Sequence, residues 1–535
     1  MKYDILIKNG RIVDGSGGLP YLADVAVKAG KISRIDDRIN QPAEYVINAN
    51  GHIVSPGFID VHTHDDLALF DDPYNKPKLL QGVTTVVVGN CGFGLSPNRR
   101  ETVSFFIDYT EPIFGEIKPE SAFSTFEDYA SALHRLEKGQ NIAALLGHGS
   151  VYIAENGFNS TPMNRTQIAK ACENVRNAME HGAIGMSVGY MYAPGCYSDA
   201  TSLRPLTDIV AEHKGMLCVH LRSESEFIDD AILEAMDSVK FSGVKLHISH
   251  LKNIGKKYQG NIRGIIAKME ESSKKGLDVT YDMYPYTAGS TTMSILFPNK
   301  MLTKGIRGCL QLLEDETTCK RLEEELKEFW EGEDNLSLLC GWENVIISSL
   351  DSEKNRKFIG KSVAEIAEIL KMSSEAACIK LYKEEQGKIT IILKHIYEKD
   401  MLDTIISPQC ILGSDGVNVG KVPHPRAFGA FPAFLRIFVR EKKLLSLEEA
   451  VKKITSVPAK RFGLGARGLL KEGFVADIVV FDSEKVADRA TFTEPCQHPE
   501  GISHVIVSGE IVCENGIVTE KKPGKFLRYK FQETI

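Results

Sequence analysis

The chain has 535 residues, 43% of them hydrophobic, and a formal net charge of −7 with a pI near 6.1. That length and apolar content supply a continuous core for one large α/β domain with a smaller one beside it, and they exclude disorder as the default state. The mildly acidic charge is spread along the chain and leaves no electrostatic footprint for nucleic acid, and no apolar run approaches the length of a membrane span.

The first residues, Met1-Lys2-Tyr3-Asp4-Ile5-Leu6-Ile7-Lys8, alternate polar and apolar where a secretory signal would carry an apolar core, so a soluble cytoplasmic protein is expected. Three alternating segments follow, Asp4 to Val13, Ala23 to Ile35 and Tyr45 to Val54, separated by Gly- and Asn-rich turn signals. The pattern returns at the far end in Ala476 to Phe481 and His504 to Glu510. Neither end has enough strands to bury a face alone, so residues 1–55 and 466–535 are expected to join in one small β-sandwich.

Between these ends, short apolar runs alternate with helical stretches: Phe58 to Asp66, Val83 to Gly92, Ile142 to Ser150, Ala183 to Gly189, Met216 to Arg222, Val244 to Leu251, Leu277 to Tyr286 and Cys410 to Gly416. Eight strand–helix units predict a parallel (β/α)8 barrel of the TIM type over residues 56–465, with its chemistry at the carboxyl ends of the strands. About 120 residues separate the last two runs, far beyond an ordinary connection. Charged helical patterns at Glu314 to Glu331 and Lys361 to Tyr382, with a strand-like Val345 to Leu350, predict a folded subdomain inserted over 287–409 beside the barrel mouth.

The predicted strand ends carry metal-ligand residue types. His62 and His64 lie two apart on the first, so on a strand they share a face and aim at one point. Cys91 ends the second, between glycines that let backbone and metal approach closely. His220 and His250 end the fifth and sixth, and Asp415 the eighth. Each alone has an ordinary reading: a buried thiol, a core histidine, an Asp-Gly turn. Six on a common rim favour a metal site, because zinc accepts imidazole, thiolate and carboxylate and a catalytic site leaves one position open. By strand parity His247, three residues before His250, is expected to face the helix layer. His148 is placed at the third strand end, with pocket and structural roles both open. The other ten of the eleven cysteines are scattered without any Cys-x-x-Cys pair, which excludes a disulfide framework.

The first-strand His-x-His, the fifth- and sixth-strand histidines, the eighth-strand aspartate and the split β unit resemble the amidohydrolase superfamily. Gly89-Asn90-Cys91-Gly92, His220-Leu221-Arg222-Ser223-Glu224, His250-Leu251-Lys252, Tyr284-Pro285-Tyr286 and Gly413-Ser414-Asp415-Gly416 followed by His424-Pro425-Arg426 narrow the likeness to the D-aminoacylases, or N-acyl-D-amino-acid deacylases. The resemblance implies that Cys91, His220 and His250 hold one tight zinc ion and that His62 and His64 form a second, weaker position. It further implies that Asp415 moves the proton in a linear amide hydrolysis, and that Lys252, Tyr284 and Arg426 clamp the substrate α-carboxylate. Tyr192, in Tyr190-Met191-Tyr192-Ala193-Pro194-Gly195, is a weaker candidate for the pocket. The partner is then a small N-acyl amino acid, with no nucleic acid and no membrane.

Three other readings compete. Many cyclic amidases of this superfamily, such as hydantoinase and dihydroorotase, bridge two metals with a carboxylated lysine at the fourth strand end, where Met186-Ser187-Val188-Gly189 has none. Deaminases place a glutamate three residues after the fifth-strand histidine, whereas Glu224 follows His220 by four. A noncatalytic barrel used for binding would announce itself by a lost ligand, and none is missing.

Overall fold

The computed structural model describes residues 2–118 and 121–529. Its centre is a parallel barrel built from two arcs. One arc pairs Phe58–Asp60, Val83–Val88 and Asn141–Ala144. The other runs from Leu146–Gly147 through Gly185–Gly189, Met216–His220, Lys245–Ile248 and Val279–Met283 to Cys410–Leu412. The third strand belongs to both arcs. It breaks at Leu145, whose N–H still donates to Val88 O at 2.9 Å, and Gly89 makes this possible: its φ is +81°, and a Cβ there would lie 2.2 Å from Leu145 O. At the opposite seam a parallel bridge between Thr63 and Gly416 closes the eighth strand onto the first.

Strand alternation divides the apolar residues. Ile59, Val61, Val87, Leu145, Met216, Cys218 and Ile411 form a separate core cluster with Ala459, Phe462 and Leu464. That cluster plugs the barrel floor. The alternate positions, such as Val86, Val88, Leu217, Val219, Leu246 and Ile248, pack outward in the large core with the surrounding helices. Those helices start where side chains can satisfy free backbone N–H groups. Thr125 with Asp128 and Asn164 with Gln167 make reciprocal capping boxes for Phe126–Arg135 and Arg165–Glu180. Above this floor, at the carboxyl rim, the histidines, Cys91 and Asp415 singled out from sequence come together.

Both ends of the chain enter one hydrogen-bonded sheet of nine strands, joined where Ile53–Pro56 pairs antiparallel with Ile478–Phe481. The second and third alternating segments each hold two strands rather than one: Tyr21–Lys28 with Lys31–Asp36, and Ala43–Asn48 with Ile53–Pro56. Ile5, Ile7, Val25, Val27, Ile478 and Ile506 share a core that neither end could build alone.

Between Met283 and Cys410 the chain leaves the barrel and forms a three-stranded antiparallel sheet, Gly289–Thr292, Thr390–Leu393 and Val345–Ser349, surrounded by short helices. Among the described residues no helix is long and apolar enough to cross a membrane. All eleven cysteines are free.

Candidate metal centre and substrate pocket

The six rim residues singled out from sequence converge. His62 Nε2 lies 3.2 Å from Cys91 Sγ and 3.4 Å from Asp415 Oδ1, and His64 Nε2 lies 3.2 Å from the same Asp415 oxygen. Cys91 Sγ is 3.5 Å from His250 Nε2, and the His220 and His250 ring centres are 4.4 Å apart. Three overlapping triads, each with ligand atoms within 4.8 Å of one another, could hold an ion: His62, Cys91 and His250; His62, His64 and Asp415; His220, Glu224 and His250. All of these side chains are buried.

Backbone geometry shows how the chain was bent to bring them together. Cys91, His250 and Asp415 have φ of +54°, +34° and +49°, the left-handed region that side chains other than Asn, Asp and Gly rarely enter. For Cys91 and His250 this costs on the order of 1 kcal/mol or more, and such strain persists only where surrounding structure fixes it. The turn at His250 also corrects the parity argument for His247. The strand ends at Ile248, and the left-handed residue resets the alternation. His247 therefore faces the barrel interior with His250, its ring against Phe462 and its Nε2 3.0 Å from Asp282 Oδ2.

Asp282, which sequence reasoning passed over, is the hub behind the ligands. It is fully buried, accepts from His62 Nδ1 at 3.0 Å and from the His250 backbone N–H at 3.0 Å, and holds His247. A carboxylate behind a ligating imidazole fixes its tautomer and orientation. Burial alone would raise the Asp282 pKa, but His62 and the hydrogen bonds from both imidazoles outweigh it and keep the group ionised. A signal was present: on Val279–Met283 the outward Val279, Tyr281 and Met283 alternate with polar Thr280 and Asp282, which points two polar groups into the barrel.

The same balance sets the other charges. Burial would raise the Cys91 thiol, yet His62 and His250 hold its pKa well below the ordinary value. Asp415 is likewise held low against burial, chiefly by Arg426, whose Nη1 lies 2.9 Å from Oδ2. Glu224 ties Lys252 and His250 together, with Oε1 2.6 Å from Lys252 Nζ and 3.2 Å from His250 Nδ1. Arg426 is completely buried, stacks 4.5 Å over Tyr284 and donates to Ser290 O at 3.1 Å. Tyr192 sits 4.7 Å from the His220 ring and shares a hydrogen bond with Thr291. Thus Lys252, Tyr284, Arg426 and Tyr192 all border the ligand cluster.

His148 takes a different place. It opens the helix His148–Asn156, so the third strand ends earlier than predicted; its ring is buried against Tyr152, with neither nitrogen hydrogen-bonded. It does not line the pocket that holds the ligand cluster.

The donor set fits a zinc ion on the chain's own chemistry. It offers imidazole with thiolate in one triad and imidazole with carboxylate in the two that overlap it, and both ring nitrogens of buried His220 lack any hydrogen-bond partner, an arrangement costly unless the imidazole has another ligand. Behind the cluster, Lys78 donates to Asp60 at 2.6 Å and to Ser414 Oγ, while Asp60 accepts the Ser414 N–H at 2.9 Å. This buried ion pair clamps the barrel seam directly beside Asp415.

Comparison with known proteins agrees. A model of the amidohydrolase family matches residues 45–215 and 405–513, and the chain belongs to that family. Within it the chain groups with the D-aminoacylases. It is 31% identical over 525 residues to a D-aminoacylase and 30% identical over 539 residues to an N-acyl-D-glutamate deacylase, both from Alcaligenes xylosoxydans xylosoxydans; each match covers 98% of this chain and 97% of the relative. The crystal structure of N-acyl-D-glutamate deacylase from Bordetella bronchiseptica, complexed with zinc and a phosphonate mimic of the tetrahedral intermediate, superposes with a TM-score of 0.84 at 29% identity, covering 99% of this chain and 100% of that one. A D-hydantoinase, at 15% identity and a TM-score of 0.54, shares the fold alone.

Proposed function

We propose that this protein is a zinc-dependent N-acyl-D-amino-acid deacylase that hydrolyses the linear amide to a carboxylate and a free D-amino acid. Cys91, His220 and His250 would hold the tight zinc, with His62 and His64 as a weaker second position. A zinc ion held there would acidify water and polarise the amide carbonyl. Asp415, ionised and within reach of His62 and His64, accepts the proton of the attacking water and returns it to the departing amine nitrogen. The α-carboxylate is anchored by Lys252, Tyr284 and Arg426; the buried Arg426 retains an Nε–H without an acceptor, and a guanidinium edge suits a carboxylate.

The segment between the seventh and eighth strands serves as a lid. It supplies Ser290, Thr291, Ile295, Leu336, Leu393 and His395 to the pocket wall, and the space they leave is about 40 Å3, room for a few water molecules. Substrate entry therefore requires that wall to part.

The single observation that carries this reading is the meeting of Cys91, His250, His62 and Asp415 at one buried point, in a chain that resembles D-aminoacylases over nearly its whole length. D selectivity rests on those relatives. Incubating zinc-loaded protein with paired N-acetyl-D- and N-acetyl-L-amino acids and quantifying free amino acid by chromatography tests it. Hydrolysis of the D series with the L series at least a hundredfold slower is expected; equal rates, or no release from any of them, would overturn the assignment.

A further inference from the structure

The pocket beside the proposed α-carboxylate clamp has a definite chemical character on its remaining walls. Among the described residues the Lys and Arg side chains that border it are Lys252 and Arg426, and both are committed: Lys252 to Glu224 at 2.6 Å and Arg426 to Asp415 at 2.9 Å. What they have left to offer is taken by the α-carboxylate. The rest of the wall is mainly apolar, with Met191, Ile295, Leu336 and Leu393 buried and Tyr192 half-buried, and its polar groups are uncharged: the Ser290 hydroxyl and the Thr291 hydroxyl, the latter already bonded to Tyr192.

The nearest cations farther out are also engaged. Beyond Met191 and Ile295 lies a second cavity of about 390 Å3 that those two residues also line. Its Arg222 is paired with Glu234 at 2.8 Å and its Lys300 with Glu325, and Glu331, Glu333 and Asp334 stand on its rim. A second substrate carboxylate would therefore meet apolar surface first and acidic groups next. His395 adds to this: its Nδ1 lies 2.7 Å from Leu393 O and so carries the proton, which leaves Nε2 as an acceptor. Burial, with Lys252 nearby, pushes its pKa down to about 4, so it remains neutral at working pH.

Resting on the deacylase reading above, we infer that the side-chain pocket selects N-acyl-D-amino acids with uncharged, apolar side chains, and that Ile295, Leu336 and Leu393 on the inserted segment determine that choice. An ionised side chain placed there would be desolvated with hydroxyls but no uncommitted cation to meet it, whereas a Leu-, Met- or Phe-sized group gains contact with the apolar part of the wall.

The test is kcat/KM of the zinc-loaded enzyme on N-acetyl-D-leucine, -methionine and -phenylalanine against N-acetyl-D-glutamate and -aspartate. A preference of about a hundredfold for the best apolar substrate over the better acidic one is expected. A ratio above ten supports the inference, and a ratio below ten overturns it while leaving the deacylase reading intact. Release from none of the five overturns both. Ile295→Lys, at the position shared by both cavities, supplies a missing cation and should shift the acidic-to-apolar ratio by at least tenfold toward glutamate or aspartate. A folded, zinc-loaded Ile295→Lys enzyme with an unchanged ratio would remove Ile295 from the determinants and contradict the inference as stated.

Discussion

Replacing Lys78 by methionine should destabilise the protein and slow it, although Lys78 touches neither the ligands nor the proposed substrate clamp. The ammonium is 1% exposed, lies 2.6 Å from Asp60 and 3.6 Å from Asp65, and reaches Ser414 Oγ across the seam between the first and eighth strands. At an effective dielectric near 20, the two ionic attractions amount to roughly 6 and 5 kcal/mol, set against several kcal/mol of desolvation for each buried ion. Removing one partner leaves Asp60 and Asp65 buried without their cation, so a net loss of about 3–5 kcal/mol is expected. The double variant Asp60→Asn/Lys78→Met removes both charges and should lose less than the sum of the single changes, with a coupling above about 1 kcal/mol. Urea unfolding followed by fluorescence measures all four proteins. Ser414 precedes Asp415, so kcat should fall in Lys78→Met while the zinc content per chain holds. A single variant within about 1 kcal/mol of the parent, or strictly additive losses, would refute the assignment of this pair as the clamp of the seam.

Three further outcomes are expected. Asp415→Asn should bind zinc yet lose about 10²- to 10⁴-fold in kcat, the usual worth of general acid–base transfer; metal analysis with turnover measurements checks both halves. Asp282→Asn should weaken zinc binding or activity by about 10- to 100-fold, because His62 and His247 lose the carboxylate that orients them, and competition with a chromophoric chelator reads the affinity. For His148, burial pushes the folded-state pKa down to about 4 from the ordinary 6.5. Between those values the unfolded chain binds a proton that the folded chain refuses, so stability falls as the pH drops from 6.5 toward 4, by up to about 3 kcal/mol. His148→Met should flatten that portion of the stability–pH curve relative to the parent.

The rim was legible because a parallel barrel turns sequence order into geometry: a residue at the end of each apolar run must stand on the same circle. That logic brought His62, Cys91, His220, His250 and Asp415 together across more than half of the chain. It failed where the backbone stops being regular. Parity points His247 outward only if strand geometry continues through His250, whose φ of +34° breaks it. It carries the third strand past His148, where the chain instead begins a helix at His148 itself, capped by Gly147. Asp282 and Lys78 escaped notice for another reason. Neither stands at a strand end, and a lone aspartate or lysine in sequence gives no hint of which buried imidazole or carboxylate it will meet. Their partners, His62 and Ser414, lie 220 and 336 positions away. The inserted segment was recognisable by its length, but the side chains it turns into the pocket follow from a register, Gly289–Thr292 on Thr390–Leu393, that local pattern does not encode.

The most direct test of the account is turnover of N-acetyl-D-leucine by one preparation before chelation, after removal of metal and after return of stoichiometric zinc. Activity should disappear with the metal, the chain remaining folded by circular dichroism, and return at about one zinc per chain. Undiminished amide cleavage by a verified metal-free protein would contradict the central claim that the clustered thiolate, imidazoles and carboxylate work by holding that ion.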